Sequence, residues 1–285
     1  IRLTSEENTP INGWTDIFSP TIYRGIFLGG QPYKVVAAPG SGDRAPFYNP
    51  QDALDAGKQG ANIFLLNGEH GPLTYGSNYQ QVRGQSWDAI IHGQNGIAVQ
   101  CITALVGCVL ADVQVKNNSG VGNNETIWLN NATLEQFIID HVWVSESDAQ
   151  GIYLQQSART VVSRCIVENC DANGYIIGSG EQWNKIIACE AFVSIALASF
   201  SINGPSIILG NRAATISGAN GYHFQSGADN AICADNYGTG AGTSTGILID
   251  AGCNNMTVDG NRITGYSSKI VDNGGTSTIG SNDTT

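Results

Sequence analysis

With 285 residues, 36 glycines, only 13% charged residues and a net charge of -11, the chain is rich in turn formers and poor in helix formers. The acidic balance argues against nucleic acid or an anionic membrane surface as a partner, since neither offers a favourable electrostatic encounter. No run reaches the ~18 apolar residues needed to span a bilayer, so no membrane-inserted helix is expected.

In chain order, residues 1–45 carry Pro10, Pro20, Pro32 and Pro39 and read as an extended docking arm. Residues 46–60 contain a short amphipathic helix placed to cap the open end of a core with Ala53, Leu54 and Ala56. Residues 62–66 read as a first strand, 67–70 as a turn that includes His70, and 81–84 and 89–91 as further edges.

From residue 96 onward one five-residue pattern recurs: Gly96-Ile-Ala-Val-Gln100, Thr126-Ile-Trp-Leu-Asn130, Gly151-Ile-Tyr-Leu-Gln155, Gly174-Tyr-Ile-Ile-Gly178, Ser199-Phe-Ser-Ile-Asn203, Gly221-Tyr-His-Phe-Gln225 and Gly246-Ile-Leu-Ile-Asp250. The starts lie 30, 25, 23, 25, 22 and 25 residues apart. Apolar second and fourth positions give each copy one buried strand face. One inward column then runs Ile97, Ile127, Ile152, Tyr175, Phe200, Tyr222, Ile247. A second strand follows each copy, with inward columns Val113, Val142, Cys165, Cys189, Asn211, Asn236, Asn261 and Val115, Val144, Val167, Ala191, Ala213, Gly238, Ile263. Like residues stack on like, so successive coils pair in parallel and stacked Asn amides bond one another. The expected fold is all-β, a right-handed parallel β-helix of about 7–9 coils over residues 46–272, with residues 273–285 a loose tail.

Through the Gly-apolar-x-apolar-polar strands and the later Asn211-Arg-Ala213 and Asn261-Arg-Ile263 strands, residues 50–272 resemble the pectate-lyase-like superfamily of parallel β-helices. That resemblance implies a fold shared by polysaccharide lyases, glycoside hydrolases, uronate epimerases and phage tailspikes, and by members that only bind or build. It carries no catalytic residues across. The contiguous lyase signatures are absent, and Asp140-His141 lacks the Asp-Pro-His-Glu run of alginate epimerases.

Because the inward positions are committed to stacking, chemistry is expected on outward ones. The second strand is expected to expose His141, Trp143, Arg164, Glu190, Arg212, Asp235, Tyr237 and Arg262, a set of rings, guanidinium forks and carboxylates suited to a glycan. Its plainer reading is an ordinary sheet face with cross-coil Arg–Glu pairs. The first strand exposes Trp128, Tyr153 and His223. Glu146 and Asp148 in one turn and Glu168 and Asp171 one coil later are weak catalytic candidates, at a carboxylate spacing that glycosidases use. They equally suit Ca²⁺, or form a solvated acidic edge. No other cofactor and no metal cluster is implied. The seven cysteines are odd in number and without CxxC pairs, and Cys101, Cys165 and Cys189 fall on inward positions as small core residues.

The leading functional reading is an extracellular, glycan-binding β-helical appendage of a virion or cell surface. It is trimeric as a homo-oligomer and docks to other virion proteins through residues 1–45. A polysaccharide hydrolase or lyase of the same fold is the alternative, and a purely structural fibre or capsid component the second alternative.

Overall fold

The computed structural model describes residues 33–43, 45–94, 96–117, 125–179, 183–193, 197–215, 218–242 and 244–284. Most of the expected docking arm lies outside them. Within the described residues the chain winds through three long parallel sheets, here A, B and C in the order each coil visits them. Sheet A has eleven strands, from Lys34–Val36 to Thr278–Ile279. Sheet B has nine, from Gly68–His70 to Arg262–Thr264, and sheet C nine, from Leu73–Thr74 to Ser268–Asp272. Every registered strand pair is parallel, as a coil stacked on its successor requires. This is the expected β-solenoid.

The interior is one continuous column of apolar side chains. Inside sheet C, Ile127, Ile152, Tyr175, Phe200, Tyr222 and Ile247 lie in register, as the pattern predicted. Tyr175, Phe200 and Tyr222 stack nearly face to face with centroids 4.8 and 4.9 Å apart, the strand spacing itself. The first copy departs from prediction: Val99, not Ile97, pairs with Ile127, and Cys101 lies over Leu129.

Between sheets A and B the chain turns on one left-handed residue per coil: Asp112, His141, Arg164, Ala188, Gly210, Asp235 and Gly260, with φ between 52° and 67°. The next residue points inward, and from the fifth of these coils it is Asn. Asn211 Nδ2 donates to Asn236 Oδ1 at 3.0 Å and to Ile186 O at 2.9 Å, and Asn236 Nδ2 donates to Asn261 Oδ1 at 3.0 Å. These bonds occupy polar groups that the fold has buried. The ladder runs on to Asn282, to which Asn261 Nδ2 donates at 2.9 Å. Residues 273–285, expected as a loose tail, therefore supply a last strand at Thr278–Ile279 and the end of the ladder.

Before Asn211 the corner column holds Cys165 and Cys189 in adjacent coils, with Cys165 N 3.4 Å from Cys189 Sγ. All seven cysteines are free and buried. Burial pushes the Cys101 thiol up to about 12 and that of Cys108 to about 11.

At the N-terminal end the helix Pro50–Gly57 covers the core with Pro50, Ala53 and Leu54, while Ala56 faces solvent. Asn49 caps it by accepting from Gln51 N at 2.9 Å. His70, expected in a turn, ends a sheet B strand and is buried, its Nε2 2.7 Å from Leu66 O. Burial lowers its pKa.

Candidate functional site

Sheet B carries the residues singled out from the sequence, but at two kinds of position. Trp143, Glu190, Arg212, Tyr237 and Arg262 lie on its outer face, and the last four are consecutive partners in register. His141, Arg164 and Asp235, expected on the same strands, sit instead at the left-handed corner. The sharp turn there needs one residue that is neither strand nor core, and these three supply it.

The charges on this face are engaged with one another. Arg212 lies 3.5 Å from Glu190 and 5.3 Å above the Phe192 ring. Arg262 lies 3.4 Å from Asp283 and 5.8 Å above Tyr237. Arg164 forks onto Asp140, with Nε to Oδ1 at 3.0 Å. Burial by itself raises the Asp140 pKa, but the hydrogen bonds from Arg164 and Ser163 outweigh it and hold the carboxyl below its ordinary value. His141 Nδ1 lies 2.9 Å from Asp112 and its ring stacks on Trp87, 4.7 Å between centroids, with Trp143 next in line.

The four acidic turn residues lie on two adjacent coils. Glu168 accepts from Trp143 Nε1 at 2.9 Å. The bridge of Ser147 to Cys170 sets Asp148 beside Asp171 on the next coil, both toward solvent. Among the described residues no group of three or more His, Cys, Asp or Glu side chains is placed to hold a metal ion.

A concave site lies on sheet C, where the sequence reading gave outward residues less weight. Its outward row runs Gln100, Trp128, Tyr153, Ile176, Ser201, His223, Leu248 across successive coils. The polar residue ending each copy of the repeat forms a second row. Gln155, Gly178, Asn203, Gln225 and Asp250 each donate a backbone N–H to the preceding coil at 2.7–2.9 Å, which fixes their register.

Gly178 breaks this row of long side chains. A Cβ there would come within 2.3 Å of Gln155 O, so the position admits no side chain. The backbone of Gln155 fills that direction, and beside it lies a cavity of about 260 Å³ lined by Tyr153, Gln155, Gln156, Asn173, Ile176, Ile177, Gly178, Ser179, Ser201, Asn203 and Gln225. Its polar walls are braced: Trp128 Nε1 donates to Gln155 Oε1 at 2.9 Å, Gln225 Nε2 to Ser201 Oγ at 3.0 Å, and Gly227 N to Asn203 Oδ1 at 3.0 Å. One strand beyond Ser201, His223 Nε2 lies 3.0 Å from Asp250 Oδ2. Burial, and then the charge of Glu125, raise the Tyr153 pKa.

Comparison with solved structures fits this geometry to a known architecture. A pectin methylesterase from carrot superposes with a TM-score of 0.53 at 11% identity, over 90% of this chain and 83% of that one. The chain has the fold of the pectate-lyase-like β-helices. The catalytic unit of a GH87 α-1,3-glucanase from Streptomyces thermodiastaticus also aligns, at 12% identity and a TM-score of 0.48, over 90% of this chain and 64% of the glucanase unit. No protein-family model matches the sequence, and none of the curated proteins does either.

Proposed function

We propose that the protein is a rigid glycan-binding β-helix, an appendage of a virion or cell surface, that holds polysaccharide on the outer face of sheet C. The observation that carries this reading is the uncharged polar cavity beside Gly178. Its walls are mainly polar, with amides and hydroxyls at Gln155, Ser201, Asn203 and Gln225 beside a smaller apolar surface at Tyr153 and Ile176. Sugar hydroxyls both donate and accept, as such a wall requires, and sugar C–H faces pack on rings. The fold's use by a carrot pectin methylesterase supports a polysaccharide as the ligand class.

The outer face of sheet A supports the homo-oligomer that this reading includes. Val109, Ile138, Val161, Lys185, Ile207 and Ile232 form one of its rows, apolar but for the lysine. Ile138 and Ile232 are 40% and 36% exposed. An apolar sheet face of this length in a monomer is a liability that a second copy removes. Sedimentation at micromolar concentration tests it: a trimer is expected, and a monomer removes oligomerisation from the reading.

Affinity electrophoresis against a panel of polysaccharides tests the binding reading. Retardation lost in Tyr153→Ala and Gln225→Ala but kept in Arg212→Ala supports the sheet C site. Retardation lost only in Arg212→Ala or Trp143→Ala moves the site to sheet B.

A hydrolase or lyase of the same fold is favoured by one observation, the His223–Asp250 pair one strand from the cavity, since a carboxylate-oriented imidazole suits general base work. New reducing ends or unsaturated-uronate absorbance on the same panel, abolished by His223→Gln, would establish it. A panel silent in both assays removes it for those substrates.

A further inference from the structure

We infer that the sheet C cavity selects a neutral sugar unit and rejects a uronate, an inference that rests on the glycan-binding reading above. Among the described residues, none that lines the cavity is Asp, Glu, Lys, Arg or His. Its polar atoms belong to amides and hydroxyls, groups that donate and accept in equal measure and carry no net charge. A sugar carboxylate placed there would leave water without a cation to meet it, the costly case of an unpaired charge.

The arginines lie elsewhere and are engaged. The five described arginines, Arg83, Arg159, Arg164, Arg212 and Arg262, each pair with a carboxylate, and none lines the cavity. The nearest charged side chain along the outward rows is acidic: Asp250, beside His223. The net charge of -11 adds a further repulsive field for a polyanion.

Size narrows the class further. At about 260 Å³ the cavity falls just below the ~300–1,000 Å³ of sites for drug-sized ligands. It accommodates one sugar unit, with its neighbours along the strand direction or over the Trp128 ring. Selection thus comes from the absence of a cation among the described lining residues.

The test uses matched pairs. Oligosaccharides from several neutral glucans, galactans and mannans are compared with their C6-oxidised counterparts, in which each CH₂OH has become a carboxylate while linkage and length are kept. Titration calorimetry on the full chain is expected to find at least one neutral member bound at least ten-fold more tightly than its oxidised twin. Gln156→Lys places an ammonium at the exposed lip of the cavity and is expected to narrow or invert the preference for the neutral twin. Oxidised members that bind as well as or better than their neutral twins would overturn the selectivity while leaving the glycan site standing. If no member of either set binds, the glycan-binding reading falls and the selectivity with it.

Discussion

The outer faces of sheets B and C are built on the same coils, yet they offer a ligand different things. Sheet B displays the conspicuous chemistry, and much of it is already paired: Arg212 with Glu190, Arg262 with Asp283, Trp143 with Glu168. Sheet C displays amides, hydroxyls and rings around a cavity. The difference teaches that on a solenoid, recurrence of charged residues along a face reflects pairing between coils, whereas the cavity lies where the outward residues are uncharged.

The interior that both faces share is the reference for any attempt to separate them, and alkali is its severest test. Burial holds the Cys101, Cys170 and Cys233 thiols at about 12 and Cys108 at about 11, against an ordinary 9.0. The unfolded chain loses these protons first. Stability is therefore full below pH 9 and lost as pH rises through the folded values, at up to about 1.4 kcal/mol per pH unit for each thiol. Urea midpoints measured from pH 8 to 11 should fall steeply above pH 9, and native protein should not react with a thiol reagent at pH 8.

A smaller blow to the same frame is Asn236→Ala. It removes the acceptor used by Asn211 N and Nδ2 and the donor to Ile208 O, all buried. A loss of about 2–4 kcal/mol is expected in urea denaturation, because orphaned buried groups cost about 1–3 kcal/mol each and the sites couple.

The two faces are then separated by substitutions that leave the frame alone. Tyr153→Ala or Gln225→Ala should weaken glycan binding by about ten-fold, equivalent to about 1.4 kcal/mol, with little change in thermal midpoint. Arg212→Ala should leave glycan affinity unchanged and cost under about 1 kcal/mol of stability, as exposed ion pairs do. The smallest expected effect is that of salt. Affinity at an uncharged cavity should vary less than two-fold between 0.05 and 0.5 M NaCl, whereas binding on the sheet B charges would fall with screening.

Much of the coil was legible in the sequence because two of its strands alternate. The columns through Ile152, Tyr175 and Phe200 and through Val144, Val167 and Ala191 point inward as expected. Alternation cannot tell a register from one shifted by two residues, which is why Ile97 was placed where Val99 stands. Beyond residues 62–66 and 81–84, sheet A escaped notice for the opposite reason. Strands such as Ile138–Asp140 and Ser206–Leu209 are apolar on both faces, so they show no period of two.

The left-handed corner was equally invisible, since His141, Arg164 and Asp235 are compatible with a strand until the turn geometry is known. The candidate site was half written in the repeat. Its polar fifth position reads Gln155, Gly178, Asn203, Gln225, Asp250, and the one glycine among them is the signal that marks the cavity. What the sequence lacks is the spatial fact that a Cβ at Gly178 meets Gln155 O.

The most direct measurement is a crystal structure of the protein soaked with a neutral oligosaccharide that it binds in solution. A sugar unit seated in the sheet C cavity, in contact with Tyr153, Gln155, Asn203 and Gln225, is the predicted result. A sugar laid instead across Trp143, Arg212 and Tyr237 on sheet B, with the cavity holding only water, would contradict it.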